Sequence, residues 1–488
     1  MSTLRLGLTY ALGDVALKGL SLILALAYAN SLSTSDYGIL AIVTAISAPV
    51  ALFLGFGLKA AVFHFHFALQ DTREQRSFQA TAWLFTVAVP FVVLLLVDTL
   101  LGRNVLVLPG TGDISTFLRF ALWADYLNTT FKLVIQEILR AEEKAKVYTA
   151  LAFGNAATLL LLVILIVLFG RQGVMGVLVA MLLTGIVWAP VYAIMTARYH
   201  VLRLDLGLLM RGLKYSLPMQ PHFLAHWLLN LSDRLILGWF APTADVGVYS
   251  LGYRVGSAYE VLVTAGNSSI MPRFARAFTK GELVPSLARL FTYFALFMGF
   301  LALAAGAFSD EAIRLLVPKS YHGATAISKW IVMGFFALAM YYGPMNAVTL
   351  TAGQTSGVAK FTLLAGFINV VANLLFVPRF GVQAAAINTF VGYVVLFGLI
   401  LRHSIRVARV SFELPKLAAI WLFLAVGLLI DSIVAPASIA LGLATDVLIL
   451  IGFVGIMRGL RVLDSGAIEQ ATMLLGSSFK RSPNRNMS

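Results

Sequence analysis

Residues 156–169 read AATLLLLVILIVLF, without a single charged side chain, and they complete an apolar run that begins near Lys146. A helix over 146–169 is long enough to cross a hydrocarbon layer about 30 Å thick. In such a layer every backbone N–H and C=O needs an internal partner, so the run is read as a helix. The short-period alternation of a transmembrane barrel is absent. Comparable runs fill the chain, near 7–29, 38–62, 78–101, 113–137, 146–169, 173–196, 215–239, 246–271, 284–307, 328–350, 358–377, 382–401, 415–434 and 437–457. The reading is an all-α polytopic membrane protein of about 14 transmembrane helices, with no stretch left for a water-soluble domain.

Composition agrees. Of 488 residues, 60% are hydrophobic and 12% charged, against about 25% charged in a soluble domain. The chain has no cysteine, which excludes disulfides, thiol catalysis and cysteine-ligated metal. The opening MSTLRLGLTY lacks the pattern of a cleaved signal peptide, so the first span is expected to act as its own insertion signal.

The net charge of +14 is unevenly placed. With the N-terminus cytoplasmic, connections on that side and the tail collect 24 of the 36 basic residues, and the opposite side holds Arg103, Arg171, Arg314, Lys319, Lys329 and Arg379. The positive-inside rule then puts both termini in the cytoplasm. The surplus sets topology and touches anionic lipid; no basic soluble face of the kind that binds nucleic acid is present.

A repeat is visible. Gly7-Leu8-Thr9-Tyr10-Ala11-Leu12 opens the first span and Gly212-Leu213-Lys214-Tyr215-Ser216-Leu217 the seventh. Each precedes a long helix and a short outer segment, Ser35-Asp36-Tyr37-Gly38-Ile39 and Ala244-Asp245-Val246-Gly247-Val248. Both spans start from the same side, so the repeat is parallel, a known transporter plan with substrate at the repeat interface. The expected division is a six-helix bundle over 1–200, a second over 201–405, two extra helices over 406–460, and a cytoplasmic tail, 461–488.

Segments carrying this repeat resemble a family. Leu32-Ser33-Thr34-Ser35-Asp36-Tyr37-Gly38-Ile39-Leu40, Tyr215-Ser216-Leu217-Pro218, Leu231-Ser232-Asp233-Arg234-Leu235-Ile236-Leu237 and Val246-Gly247-Val248-Tyr249-Ser250 resemble bacterial polysaccharide-lipid flippases. These form the Wzx-like polysaccharide-transport branch of the multidrug/oligosaccharidyl-lipid/polysaccharide exporter superfamily. The resemblance implies two six-helix bundles in a V that opens alternately to either side, plus two C-terminal helices. It also implies a polyprenyl-diphosphate-linked oligosaccharide substrate, flipped outward across the bacterial inner membrane for surface polysaccharide (lipopolysaccharide or exopolysaccharide) assembly. Membrane lipids, and a polysaccharide polymerase or assembly proteins, are the partners it suggests.

Ionisable groups inside spans are costly in hydrocarbon and count as functional candidates. They are Asp14 and Lys18 in span one, Lys59 in span two, and Arg119, Asp125 and Lys132 in span four. Asp233 and Arg234 in span seven, and Arg254 and Glu260 in span eight, complete the set. A diphosphate moved through a low-dielectric path needs cations, and Arg adds bidentate geometry. Lys18, Arg119, Arg234 and Arg254 are therefore the candidate substrate contacts. Each has a plainer reading. Lys18 can pair with Asp14 at i, i+4, Arg119, Lys59 and Lys132 can snorkel, and Asp233 and Arg234 can form salt bridges to other helices. Adjacent residues point about 100° apart on a helix, so these two are not expected to pair with each other. Asp14, Asp125 and Glu260 are candidate proton or sodium sites for ion coupling.

His226, with Trp227, offers hydrogen bonds and stacking to a sugar from a span that Pro218 and Pro221 shape. His222 and His226, or His64 and His66, lack the further ligands of a metal site, and His64-Phe65-His66-Phe67 reads as an interfacial aromatic belt. No phosphate-binding glycine loop is present, so no cofactor is expected. The leading function is a lipid-linked oligosaccharide flippase, with a peptidoglycan-precursor flippase using the same physics. A cation or drug antiporter of the same superfamily is the alternative. A membrane glycosyltransferase or polymerase fits less well, because the loops are short and poor in convergent carboxylates; the chain is not expected to be an enzyme.

Overall fold

The computed structural model describes residues 3–103, 106–108, 111–199, 204–280, 284–352, 355–408, 411–434 and 438–463. All fourteen apolar runs fall on helices. They are α1 (Thr3–Ser31), α2 (Thr34–Leu54), α3 (Leu58–Ala68), α4 (Thr72–Arg103), α5 (Ser115–Ala141), α6 (Ala145–Val163) and α7 (Gly173–Ala197). There follow α8 (Leu206–Ser216), α9 (Gln220–Asn230), α10 (Ser232–Phe240), α11 (Thr243–Ser257), α12 (Tyr259–Lys280), α13 (Val284–Leu316) and α14 (Ala324–Ala352). The last are α15 (Thr355–Val407), α16 (Leu414–Ile433) and α17 (Ile439–Gly459). A two-residue hairpin, Val107–Leu108 with Gly112–Asp113, precedes α5. Among the described residues, nine helices are long and apolar enough to cross a membrane by length and composition.

Several spans are broken or distorted locally. Span two divides into α2 and α3 at Gly55-Phe56-Gly57, where Phe56 and Gly57 have φ of +50° and +65°. The Phe56 carbonyl at this break accepts a bond from the Ser216 hydroxyl at 2.8 Å, as a carbonyl at membrane depth requires. Span seven runs through α8, a single 3-10 turn at Leu217–Met219 holding Pro218, then α9 and α10. Proline supplies no N–H for the ladder, so the helix tightens there. Spans eleven and twelve join as α15, whose continuity fails at Gly381, φ +58° and ψ −143°. Span five ends in a π-helical turn, Ile164–Phe169.

The chain divides into two units. One comprises Met1–Val261, Ala312–Gly334 and Ser356–Leu396, and the other Leu262–Glu311, Phe335–Thr355 and Phe397–Ser488. In the first, α5 packs on α7, α2 on α11 and α1 on α6. The α2–α11 crossing unites the two segments singled out as a repeat. An added Cβ on Gly38 would stand 2.8 Å from the carbonyl carbon of Thr243 and 3.1 Å from the Gly247 nitrogen. One on Gly247 would stand 2.9 Å from the carbonyl carbon of Thr34 and 3.0 Å from the Gly38 nitrogen. The contact is reciprocal: each glycine lies on the start of the other's helix, with the Ser35 and Thr243 hydroxyls bonded at 2.6 Å. In the second unit, Gly299 and Gly306 of α13 receive Ile420 and Leu428 of α16.

Candidate functional site

Below the α2–α11 crossing, polar side chains of α1, α2, α11 and α12 converge inside the first unit. Lys18 Nζ on α1 lies 3.3 Å from Glu260 Oε2 on α12. Arg254 on α11 donates to Ser21 Oγ at 3.1 Å, one turn along α1 from Lys18. The hydroxyl of Tyr37 is within hydrogen-bond reach of Arg254, and Tyr28 and Tyr37 meet edge to face with ring centroids 5.9 Å apart. The Lys18 side chain is 55% exposed and Arg254 is also exposed. Two cations therefore stand close together, Lys18 paired with Glu260 and Arg254 bonded to Ser21, beside tyrosines. Such a cluster can take an anion with charge-assisted bonds without removing an existing buried partner. Of the sequence readings for Lys18 (phosphate contact, pairing with Asp14, and snorkelling), the pairing acquires a different partner: Lys18 reaches across to Glu260, and Asp14 stays exposed one turn away.

Behind this cluster lies a buried polar core that sequence reasoning saw only in part. Asp233 and Arg234 do pair, at 3.0 Å, contrary to the expectation from their 100° separation. The physical reason is local. Leu231 leaves helical geometry (φ −133°), so both residues occupy the first turn of α10, and the Asp233 carboxylate accepts the Arg234 backbone N–H at 2.7 Å. Short of a full upstream turn, the guanidinium folds back to the same carboxylate. Asp233 also accepts from the Tyr249 hydroxyl on α11, the partner on another helix that was expected. Arg234 donates to the Asn230 carbonyl at 2.6 Å and lies over the Tyr253 ring, 4.2 Å from its centroid. Asn230 Oδ1 accepts from Tyr253 at 3.0 Å and from Tyr393 at 2.8 Å. Beyond it, Asn369, Asn373 and Asn388 of α15 bond to one another across the Gly381 break. Attention to charge missed these asparagines; Asn369 and Asn373, at i, i+4 within an apolar span, were the available signal.

The other predicted residues lie elsewhere in the first unit. Arg119 on α5 is held by Asp98 on α4 through two bonds, 2.7 and 3.0 Å. The pair borders a cavity of about 290 Å³ with Thr116, Phe120, Trp123, Leu127 and Leu182. Asp125 Oδ2 accepts from the Ser47 hydroxyl of α2 at 2.5 Å. Lys59 and Arg140 both approach Glu137, each at 3.4 Å, and Arg140 also sits 4.6 Å from the Phe63 ring centroid. Trp227 directs its indole N–H to the Ala45 carbonyl at 3.3 Å. The side chains of His222 and His226 lie outside the described residues. Among the described residues, no group of three or more His, Asp or Glu side chains is arranged to hold a metal ion.

Comparison with known proteins adds three findings. The model of a family described as polysaccharide biosynthesis protein matches residues 4–278. A probable flippase, AglR of Haloferax volcanii, is 26% identical over 176 residues, 33% of this chain and 37% of the relative; the match thus spans about a third of each. Among solved structures, the lipid II flippase MurJ in an inward closed conformation superposes with a TM-score of 0.74 at 13% identity, covering 92% of this chain and 99% of that one. The Vibrio cholerae MATE transporter VcmN in its bent form gives 0.53 at 16% identity, over 84% and 98%. At these identities the structural likeness speaks to the fold.

Proposed function

The chain belongs to the polysaccharide biosynthesis protein family, and from that premise we propose that it is a flippase for a polyprenyl-diphosphate-linked oligosaccharide. The substrate passes from the inner to the outer leaflet by alternating access of two six-helix bundles, with both termini in the cytoplasm of a bacterial inner membrane. One observation carries the reading: Lys18 and Arg254, both exposed, meet from neighbouring helices, Arg254 bonded to Ser21 one turn along α1 from Lys18. A diphosphate entering there replaces Glu260 as the partner of Lys18 and gains bidentate geometry from Arg254. Tyr37, buried against Tyr28, holds Arg254 through its hydroxyl, and His226 is the candidate sugar contact. Arg234, with its guanidinium spent on Asp233 and Asn230, supports the site by holding Tyr253 in place. Arg119 contributes at the end of the path, released from Asp98.

Glu260, freed when Lys18 turns to phosphate, is the carboxylate best placed for ion coupling, ahead of Asp14 and Asp125. A cation or drug antiporter, the competing reading, needs an acidic pocket, and the exposed cations Lys18 and Arg254 disfavour it.

The test is complementation of a deletion strain, with the leaflet distribution of lipid-linked repeat units measured. Loss of the chain is expected to hold them in the cytoplasmic leaflet, and Lys18→Ala or Arg254→Ala at normal protein levels to leave them there. Normal export by both variants would remove the phosphate-contact assignment. Single cysteines at Ser33 and Gln75 test orientation in the same cells, the first labelling from outside and the second from inside only.

A further inference from the structure

The second unit contains a charged cluster that the substrate path does not use. Glu311 on α13, Asp431 on α16 and Asp446 on α17 come from three different helices and are 5%, 6% and 0% exposed. Asp446 lies within hydrogen-bond reach of both other carboxyl groups. It sits seven residues into α17, inside a run apolar enough to span a membrane. Neither Asp446 oxygen has a donor, and Glu311 Oε2 also lacks one. Asp310 precedes Glu311, and Arg314 follows one turn later on the exposed side of α13.

Asp446 ionised against two further buried carboxyl groups, with no donor to either of its own oxygens, would carry a charge cost that native proteins avoid. A bound cation or proton is needed to neutralise Asp446. The same residues do not form a metal-holding group among the described residues. A proton needs only two oxygens within hydrogen-bond distance, and this cluster supplies them. We propose that Glu311, Asp431 and Asp446 form a proton-binding site that clips α17 to α13 and α16, with the carboxyl of Asp446 carrying the shared proton. Protonated, Asp446 donates to one neighbour, and the three helices stay packed along the Gly306–Leu428 and Gly427–Ile449 contacts. Ionised, the three groups repel and the C-terminal helix pair loosens from α13. Because all three lie near those helix ends that the positive-inside reading assigns to the outer face, the site responds to pH there.

The experiment uses the purified full-length protein. Dicyclohexylcarbodiimide, which attacks protonated carboxyls in apolar surroundings, is added across a pH series with and without sodium, and labelled peptides are quantified by mass spectrometry. Labelling at Asp446 or a neighbour is expected at neutral pH, falling about tenfold per pH unit above its midpoint, without protection by sodium. Protection by sodium would replace the proton with a metal cation and overturn the proposal. Because a buried site can exclude the reagent, infrared spectra provide a second readout. A protonated-carboxyl C=O band must be present in the wild type and lost in Asp446→Asn. Asn keeps a donor, so this variant should also melt with a flatter pH dependence than wild type. No band, or unchanged pH dependence, refutes the proposal.

Discussion

Replacing Gly38 by alanine adds one methyl group where two helix starts cross. That methyl would lie 2.8 Å from the Thr243 carbonyl carbon and closer still to its oxygen, whereas non-bonded carbons rest about 3.5–4.0 Å apart. The obstacle is backbone, so no rotamer change relieves it, and α2 and α11 must separate by roughly 1 Å. Ile42, Val43, Val246 and Tyr249, each 0% exposed, then lose close packing. Overpacking costs about 1–3 kcal/mol where side chains can yield; here the upper end, about 3 kcal/mol, is expected. Gly247→Ala should cost the same because the contact is reciprocal. The double variant should cost less than the sum, since one separation relieves both clashes. Gly455→Ala, with nothing within 4 Å of its added methyl, is the control and should be neutral or stabilising by up to about 1 kcal/mol. Thermal melting of purified protein, followed by loss of the monodisperse peak on size exclusion, reads all four. If Gly38→Ala melts with wild type and with Gly455→Ala, the crossing is not a close contact and the reasoning fails.

Lys18→Arg should retain export and Lys18→Met should abolish it, while both melt near wild type. The Lys18–Glu260 pair is more than half exposed on the lysine side and contributes under about 1 kcal/mol. Equal loss of export and of melting temperature in Lys18→Met would instead mark a structural lysine. Asn230→Ala takes an acceptor from the hydroxyls of buried Tyr253 and Tyr393 and should destabilise by about 1–3 kcal/mol for each hydroxyl left unsatisfied, measured by the same melts. The Ser115 hydroxyl and backbone N–H donate to Asp113 and hold its carboxyl below the usual carboxylate range. A depressed folded-state value means this stabilisation is complete above about pH 4 and fades as pH falls through the depressed value. Protection from hydrogen exchange at 112–118, taken relative to intrinsic rates at each pH, should therefore fall in acid, and Asp113→Asn should show no such dependence.

The spans were legible because hydrocarbon imposes a length and an apolar composition that any run must show locally. The break at Pro218 was legible because proline cannot donate to the ladder, whereas those at Gly57 and Gly381 were not singled out. Gly38 and Gly247 stood out in the sequence as matching positions, but not their contact: each accepts a backbone whose other half lies about 200 residues away. Charged candidates were found by type and their partners were not. Lys18 and Glu260 are 242 positions apart, and nothing near either one names the other. The Asp233–Arg234 pair was misjudged because ideal helical angles were applied where the chain leaves the helix at Leu231.

By itself, then, the order of residues determined that this is a many-span helical membrane protein, and which ionisable side chains lie within its apolar runs. Those properties follow from transfer free energies, which act on each segment separately. Tertiary structure alone decided that Lys18, Ser21, Arg254 and Glu260 share one place, that Asn230 gathers two tyrosines, and that three carboxyl groups meet beside α17. Pairing depends on the distance between helices after packing, and the packing is set by small residues and shapes spread over the whole chain.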